Sequence, residues 1–407
     1  MLIRFRFANF RSLRDEQELS LVAAFRNGRK DLVPVEPLGV DLLRVAGIYG
    51  ANAAGKSNVL EALRFMRSAV VDSHRQWDPE GGIPREPFQL NAGESSLFEM
   101  DLLVNGNRYQ YGFELDSERV QGEWLYAFPN KRRQLWFERD ADSSSPFRFG
   151  KSFKGNNRMI ERLTRKNSLF LSAAAQNAHE AVREIYAWFS GHLLVGDVEA
   201  REHWTLETAR LLERKRKEVL NLMRLADLGI VEVNLVPRSR RDRRRRRLHS
   251  GWTESSGREL EFKHQSKDGS FALTLEEQSK GTQAWFSLVS AVLQTLDKGG
   301  LLCLDEIEAS LHSLLALELI RIFQSPKRNP KNAQLIFSTH DTALLGGLLE
   351  EPALYRDQIW FVEKNSTGAS RLYPLSDFKP RKFENVERGY LMGRYGGIPF
   401  TEPPEAA

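Results

Sequence analysis

The chain has 407 residues, 59 Lys and Arg against 54 Asp and Glu, a formal net charge of +5 and 41% hydrophobic residues, the composition of a globular protein of two or three domains. It holds no apolar run of about 18 residues that would cross a bilayer, and its single cysteine, Cys303, excludes an intrachain disulfide framework or a paired-cysteine zinc hook. The opening Met1-Leu2-Ile3-Arg4-Phe5-Arg6-Phe7 alternates like a strand and lacks the features of a secretory leader, so a cytoplasmic location and no membrane partner are expected.

Residues 1 to about 78 read as strand, loop, strand, glycine-rich loop and helix. The second strand is placed at Leu42–Tyr49, and the helix carries Val59, Leu60, Leu63, Met66 and Val70 on one stripe. Between them Gly50-Ala51-Asn52-Ala53-Ala54-Gly55-Lys56-Ser57 fits the pattern G-x-x-x-x-G-K-[ST]. Glycines at those positions let the backbone wrap a phosphate with its N–H groups inward, at the start of a helix. Lys56 is expected to hold β- and γ-phosphates and Ser57 to ligate Mg²⁺, which makes ATP and Mg²⁺ the expected ligands.

A Gly/Pro-rich break at Pro79–Pro87 precedes an alternating, aromatic stretch from Leu97 to about Arg139, with a turn at Asn105-Gly106. Tyr109, Tyr111, Phe113, Trp124, Tyr126, Trp136 and Phe137 have the period of two that packs a sheet face, in preference to stacking on bases. From about Asn156 to Asp227 the pattern is helical, with Ile185, Trp188 and Phe189 on one segment and Leu206 to Leu225 on another that includes the charged stretch Glu213–Glu218. Heptads do not persist, so long coiled-coil arms are not expected. A strand at Ile230–Val236 leads to a basic run in which eight of the ten residues from Arg238 to Arg247 are arginine. Arg243, Arg244, Arg245, Arg246 and Arg247 suit DNA phosphates, an acidic protein partner or a solvated loop equally in kind; arginines in such a loop contact phosphate rather than read bases.

The α/β pattern returns from Phe271 to about Tyr373, followed by a polar tail. Leu301-Leu302-Cys303-Leu304-Asp305-Glu306 is an apolar strand ending in two acids, the second half that a phosphate loop requires. Asp305 is expected to bind Mg²⁺, and Glu306 to orient or deprotonate the attacking water. Cys303 within it reads as a small buried hydrophobe. A further strand, Gln334-Leu335-Ile336-Phe337, runs into Ser338-Thr339-His340-Asp341, placing His340 at a strand end within reach of a γ-phosphate.

With these residues in view, the chain resembles the ABC ATPase superfamily, in the branch with SMC, RecF and OLD-type proteins. Gln278-Ser279-Lys280-Gly281-Thr282-Gln283 resembles the signature loop, with Lys280 where a second glycine is usual. Leu304-Asp305-Glu306-Ile307-Glu308-Ala309-Ser310-Leu311-His312 resembles an OLD-like Walker B and D-loop. Asn9-Phe10-Arg11-Ser12 and Lys56-Ser57-Asn58 fit the same branch, and Tyr390-Leu391-Met392-Gly393-Arg394-Tyr395-Gly396-Gly397-Ile398-Pro399 looks like the ending of a stand-alone OLD-like subfamily. The resemblance implies an α/β ABC-type head with an antiparallel β subdomain and a helical insertion. It implies Arg11 and Asn58 at the nucleotide, Ser279 and Gly281 contacting the γ-phosphate from a second copy, and a homo-oligomer, either a dimer or a larger ring of dimers. Gln176, after Leu169-Phe170-Leu171, is taken as the Q-loop glutamine, with Gln89 as runner-up.

The blocks are then 1–90 and 266–375 for the head, 91–150 for the β subdomain, 151–265 for the helical insertion with the arginine run, and 376–407 for the tail. Many OLD-type proteins add a TOPRIM nuclease. Phe361-Val362-Glu363-Lys364 could mimic its first element, but no Asp-x-Asp follows in the 43 residues after Lys364, so Glu363 reads as a strand-end surface residue. The resemblance therefore implies an ATPase that controls a separate effector, a nuclease by expectation, in antiphage defence. The alternative is a RecF-like repair ATPase binding DNA ends or junctions.

Overall fold

The alternating start of the chain forms strand β1 (Leu2–Ala8), followed by β2 (Gln17–Ser20), the short pair β3 (Val33–Val35) and β4 (Val40–Leu42), β5 (Val45–Tyr49) and the long helix α1 (Lys56–Gln76). Five strands follow: β6 (Ser96–Val104), β7 (Asn107–Leu115), β8 (Val120–Ala127), β9 (Gln134–Asp140) and β10 (Phe147–Phe149). Next come α2 (Asn157–Leu163), α3 (Phe170–Gln176), α4 (Arg183–Gly191), β11 (Leu193–Gly196), α5 (Ala200–Leu211) and α6 (Arg216–Ala226). The last third holds β12 (Ile230–Pro237), β13 (Arg258–Ser266), β14 (Gly269–Thr274), α7 (Lys280–Lys298), β15 (Leu301–Leu304), α8 (Ser313–Gln324), β16 (Gln334–Thr339), β17 (Ile359–Lys364), β18 (Ser370–Pro374) and α9 (Val386–Leu391). This computed structural model describes all residues except 27, 37, 197–199, 228, 238–257, 310, 347–352, 379–384 and 399–407.

Two large sheets result. The central one runs β11-β15-β16-β5-β17-β18 and is parallel except for β18. Its inner strands are buried on both faces, which is why they read as unbroken apolar runs. Alternate residues feed two different cores. Ala46, Ile48, Cys303, Ile336 and Val362 face α1 and the antiparallel layer. Val45, Tyr49, Leu302, Leu304, Phe337 and Phe361 face α7 and α8, together with Trp285 and Ile320. The second sheet, β10-β9-β8-β7-β6-β1-β2, is antiparallel throughout. Tyr111, Phe113 and Phe137 fill its buried face, while Trp124 and Tyr126 project from the other and bond Glu99 and Glu138.

Several local expectations change. The antiparallel layer takes β1 and β2 from the first block as well as strands from 91–150. The strand expected at Leu42–Tyr49 is broken, with Leu43 and Arg44 between β4 and β5, where Arg44 turns its guanidinium to Asp31 O and Asn332 Oδ1. The helix expected across Leu206–Leu225 divides into α5 and α6, and part of the charged stretch Glu213–Glu218 forms the break. Helices α3 and α4 pack on α1, and β11 joins the edge of the central sheet, so the region after residue 151 is partly built into the head. The tail is not simply polar: Tyr390 and Tyr395 are buried, Tyr390 Oη donates to Gly397 O at 3.0 Å, and Tyr373 Oη donates to Tyr395 O at 2.9 Å.

One buried acid ties the antiparallel layer to the helices. Glu123 on β8 is fully buried and accepts from Phe170 N at 2.6 Å, Leu171 N at 2.9 Å and Tyr111 Oη at 3.0 Å, with Arg139 nearby. Burial pushes its carboxyl above the usual range, although the backbone donors and Arg139 pull the other way. Glu123→Ala, which leaves those donors unpaired, should lower unfolding free energy by roughly 3 kcal/mol in chemical denaturation. The raised carboxyl favours the fold most when protonated, and that advantage is lost as pH rises through its folded value. The stability of wild type relative to Glu123→Gln should therefore be greatest near pH 4 and fall as pH rises.

Candidate nucleotide-binding site

Strand β5 ends at Tyr49, and the chain turns through Gly50–Gly55 into α1. Gly50 passes so close to β17 that a Cβ there would lie 2.5 Å from Val362 O. Gly55 has φ of 110°, and a Cβ would meet Ser370 Oγ at 2.5 Å and Ser12 Oγ at 2.8 Å. Both positions therefore require glycine, through close approach in one case and a left-handed backbone in the other. Ser370 Oγ donates to Ala54 O at 2.6 Å and shares a 2.7 Å bond with Ser12 Oγ, which accepts from Asn58 Nδ2 at 2.7 Å. The N-terminal loop, the glycine-rich loop and the start of β18 thus hold one another. A Cβ on Gly397 would stand 3.7 Å from Gly50 Cα, so the tail also closes on this loop.

Lys56 is 5% exposed and donates its Nζ hydrogens to Gly50 O at 2.9 Å and Ala51 O at 3.1 Å. Burial lowers its pKa, while the negative charges of Glu306, Glu308 and Asp305 act to raise it. Ser57 follows it in the first turn of α1. Arg11, with φ of 49°, pairs with Glu86 (Nε to Oε2 at 2.9 Å) and lies 3.7 Å from Glu61 on α1.

The acidic pair stands at the end of β15. Ser338, on the neighbouring β16, donates its hydroxyl to Asp305 Oδ1 and accepts the Glu306 backbone N–H at 2.8 Å. Glu306 has φ of 45°, a backbone conformation that non-glycine residues adopt at a cost of ~1 kcal/mol or more and that clusters at functional sites. His340 follows β16; its backbone N–H reaches Glu308 Oε1 at 2.7 Å and its Nδ1 lies 2.6 Å from the same oxygen. The C-terminal ends of three adjacent parallel strands therefore deliver the loop, the acids and the histidine to one crevice, the usual location of a ligand in such sheets.

Ser279 caps α7, its Oγ accepting from Thr282 N at 3.1 Å, so its bonds stay within that first turn. A Cβ on Gly281 would meet nothing nearer than Ser279 Oγ at 3.9 Å, so nothing among the described residues demands glycine there. Gln176 requires correction. Its Nε2 bonds Tyr186 Oη, which donates to Val71 O, fifteen residues along α1 from Lys56 and roughly 22 Å away at 1.5 Å per residue. The packing of α3 on the far half of α1 takes it there. Gln89 instead opens a 3₁₀ turn beside Asn9, which bonds Phe88 N and Asn91 O, and so lies next to the Asn9–Ser12 loop. Arg243, Arg244, Arg245, Arg246, Arg247 and Ser310 lie outside the described residues. Glu363 Oε2 lies 3.1 Å from Tyr373 Oη and packs near Gly396, a structural role at a strand end. Ser12, Ser338, Ser370 and Glu308 were not singled out from sequence. Ser12, Ser338 and Glu308 lie within segments that were, and Ser370 carries no sequence signal.

The family described as "AAA domain, putative AbiEii toxin, Type IV TA system" matches residues 45–346. No curated protein matches the chain. Among solved structures, an Smc head bound to the C-winged helix domain of ScpA superposes with a TM-score of 0.50 at 14% identity, covering 93% of this chain and 99% of that one. The SMC head domain from Thermotoga maritima matches with a TM-score of 0.45 at 16% identity, covering 92% and 98%. The first of these likenesses carries the fold: an α/β ABC-type head with an antiparallel sheet. Because the family match takes in about three quarters of the chain, from the β5 strand through the loop, the acid pair and His340, the chain belongs to this family of AAA-domain P-loop ATPases.

Proposed function

We propose that the chain binds and hydrolyses ATP with Mg²⁺ at a site completed by a second copy of itself, and that this cycle controls a separate effector in antiphage defence. The observation that carries the nucleotide reading is the convergence of Lys56, Asp305, Glu306 and His340 on one crevice beside a loop whose glycines are sterically enforced. The donor set fits the ligand. Lys56 Nζ rests on backbone carbonyl oxygens, the same acceptor chemistry that phosphate oxygens offer. Ser57 and Asp305 supply hard oxygens suited to Mg²⁺, which takes few protein ligands and shares the rest with phosphate and water. When bound, magnesium and ATP supply the electrophilic phosphorus and the neutralised leaving group.

The chain's own residues do the remainder. Lys56 exchanges its loop carbonyls for phosphate oxygens. Ser338 holds Asp305 through its hydroxyl proton and Glu306 through the backbone N–H, fixing the two acids relative to each other. Glu306 orients the attacking water and takes its proton at the carboxylate. Ser279 and Gly281 serve the partner's nucleotide, a reading supported by a glycine whose absent side chain no internal contact requires. Effector control rests on the likeness to stand-alone OLD-type proteins and on the family's toxin–antitoxin description. The arginine run favours the second reading, a DNA-binding repair ATPase.

Lys56→Ala should abolish ATP binding in calorimetry while leaving the fold intact. Glu306→Gln should retain binding and lose about 100-fold or more in turnover; a parental rate would remove Glu306 from the catalytic role. The same variant, weighed in solution with ATP and Mg²⁺, should grow from monomer to dimer. A monomer under both conditions would contradict the shared site, and an assembly formed without nucleotide would point to a preformed ring. Replacing Arg243–Arg247 with Ser should leave basal ATPase intact and weaken DNA or partner binding; unchanged affinity for both would deny the run a binding role.

A further inference from the structure

Glu308 lies three residues beyond Asp305, in the 3₁₀ turn Ile307–Ala309, with its side chain 13% exposed. One oxygen, Oε1, accepts the backbone N–H of His340 at 2.7 Å and lies 2.6 Å from its ring Nδ1. The other, Oε2, is buried with no hydrogen-bond partner among the described residues. The ring of His340 is 58% exposed, so packing does little to hold it. The turn that carries Glu308 directly follows the acid pair at the end of β15, beside the end of β16 that carries His340.

An imidazole has two nitrogens, and the partner of one decides which tautomer forms and which nitrogen is left for a substrate. A single oxygen that binds a residue's backbone N–H and its ring nitrogen together would restrain both side-chain torsions. A buried carboxylate oxygen left unpaired is costly, and such exceptions call for a functional explanation. We propose that Glu308 is the positioning residue of His340: Nδ1–H donates to Oε1, the ring is fixed, and Nε2 remains for the nucleotide. The kinetic consequence rests on the ATPase reading; the hydrogen bond itself does not.

The test compares wild type, Glu308→Ala, His340→Ala and the double variant in steady-state ATP hydrolysis. Glu308→Ala should lower kcat about 10- to 100-fold with KM changed by no more than about twofold. In the His340→Ala background it should add no further loss, since its effect passes through that ring. Glu308→Gln keeps an oxygen that accepts both N–H groups and should restore most of kcat. Equal fold losses in both backgrounds would overturn the proposal, as would a Gln variant no better than Ala. Nitrogen NMR of histidine-labelled protein, assigned with His340→Ala, reads the ring without turnover. Wild type should carry the proton on Nδ1, and Glu308→Ala should move it to Nε2; one tautomer in both proteins refutes the pair. A wild type with no ATPase activity would count against the nucleotide reading, while the tautomer shift would still decide the pair.

Discussion

The pairing of β15, β16 and β5 in parallel register sets the position of every group at the site. Leu304 stands opposite Phe337, and Phe337 opposite Gly47, so the three strands finish within a few residues of one another. Asp305 and Glu306, Ser338 to His340, and the loop from Gly50 then emerge side by side. A slip of one residue in any strand would turn Cys303, Ile336 or Ile48 away from α1 and drive the opposite set into it, because the two cores take alternate residues. Hydrophobic sorting on both faces of the sheet thereby fixes polar geometry at its edge. The Ser338 hydroxyl completes the arrangement by linking the end of one strand to both acids on the next.

The glycine-rich loop is held in the same spirit, by contacts that leave no freedom. Val362 O excludes a side chain at Gly50, and Ser12 with Ser370 excludes one at Gly55. These three contacts come from β17, the N-terminal loop and β18, so residues far apart in sequence share the work of shaping one turn. The cost is carried locally: Lys56 is buried, with two carbonyls as its partners among the described residues, and nearby carboxylates act to keep its ammonium charged.

Much of this was legible in the sequence because its signals are local. The phosphate loop has a fixed spacing, the apolar runs at 301–304 and 334–337 are strands buried on both faces, and β1 and the hairpins alternate with period two. Legibility failed where tertiary contacts decide. Gln176 follows an apolar run as expected, but α3 is drawn to the far half of α1 by Glu123, Ser73 and Ser172, which no spacing reveals. The split between α5 and α6 falls in a stretch whose charges are as compatible with a helix as with its end. Glu308 escaped notice because its hydrogen-bond partner, the backbone N–H of His340, is 32 residues away. The tail looked polar from its composition, yet Tyr390 and Tyr395 enter the core through ring packing on Phe361.

That tail has a consequence for how the protein is made. Gly397 lies against Gly50, and Tyr390 packs on Tyr49 immediately before the phosphate loop, with ring centroids 6.3 Å apart. The loop is synthesised early, but the segment that braces it emerges from the ribosome some 340 residues later. At synthesis rates of about 5–20 residues per second, an unbraced loop persists for roughly 20 to 70 s on every nascent chain. Completion of the phosphate loop is thus a late event, tied to translation of residues 390–397 rather than to folding of the segment that carries the motif.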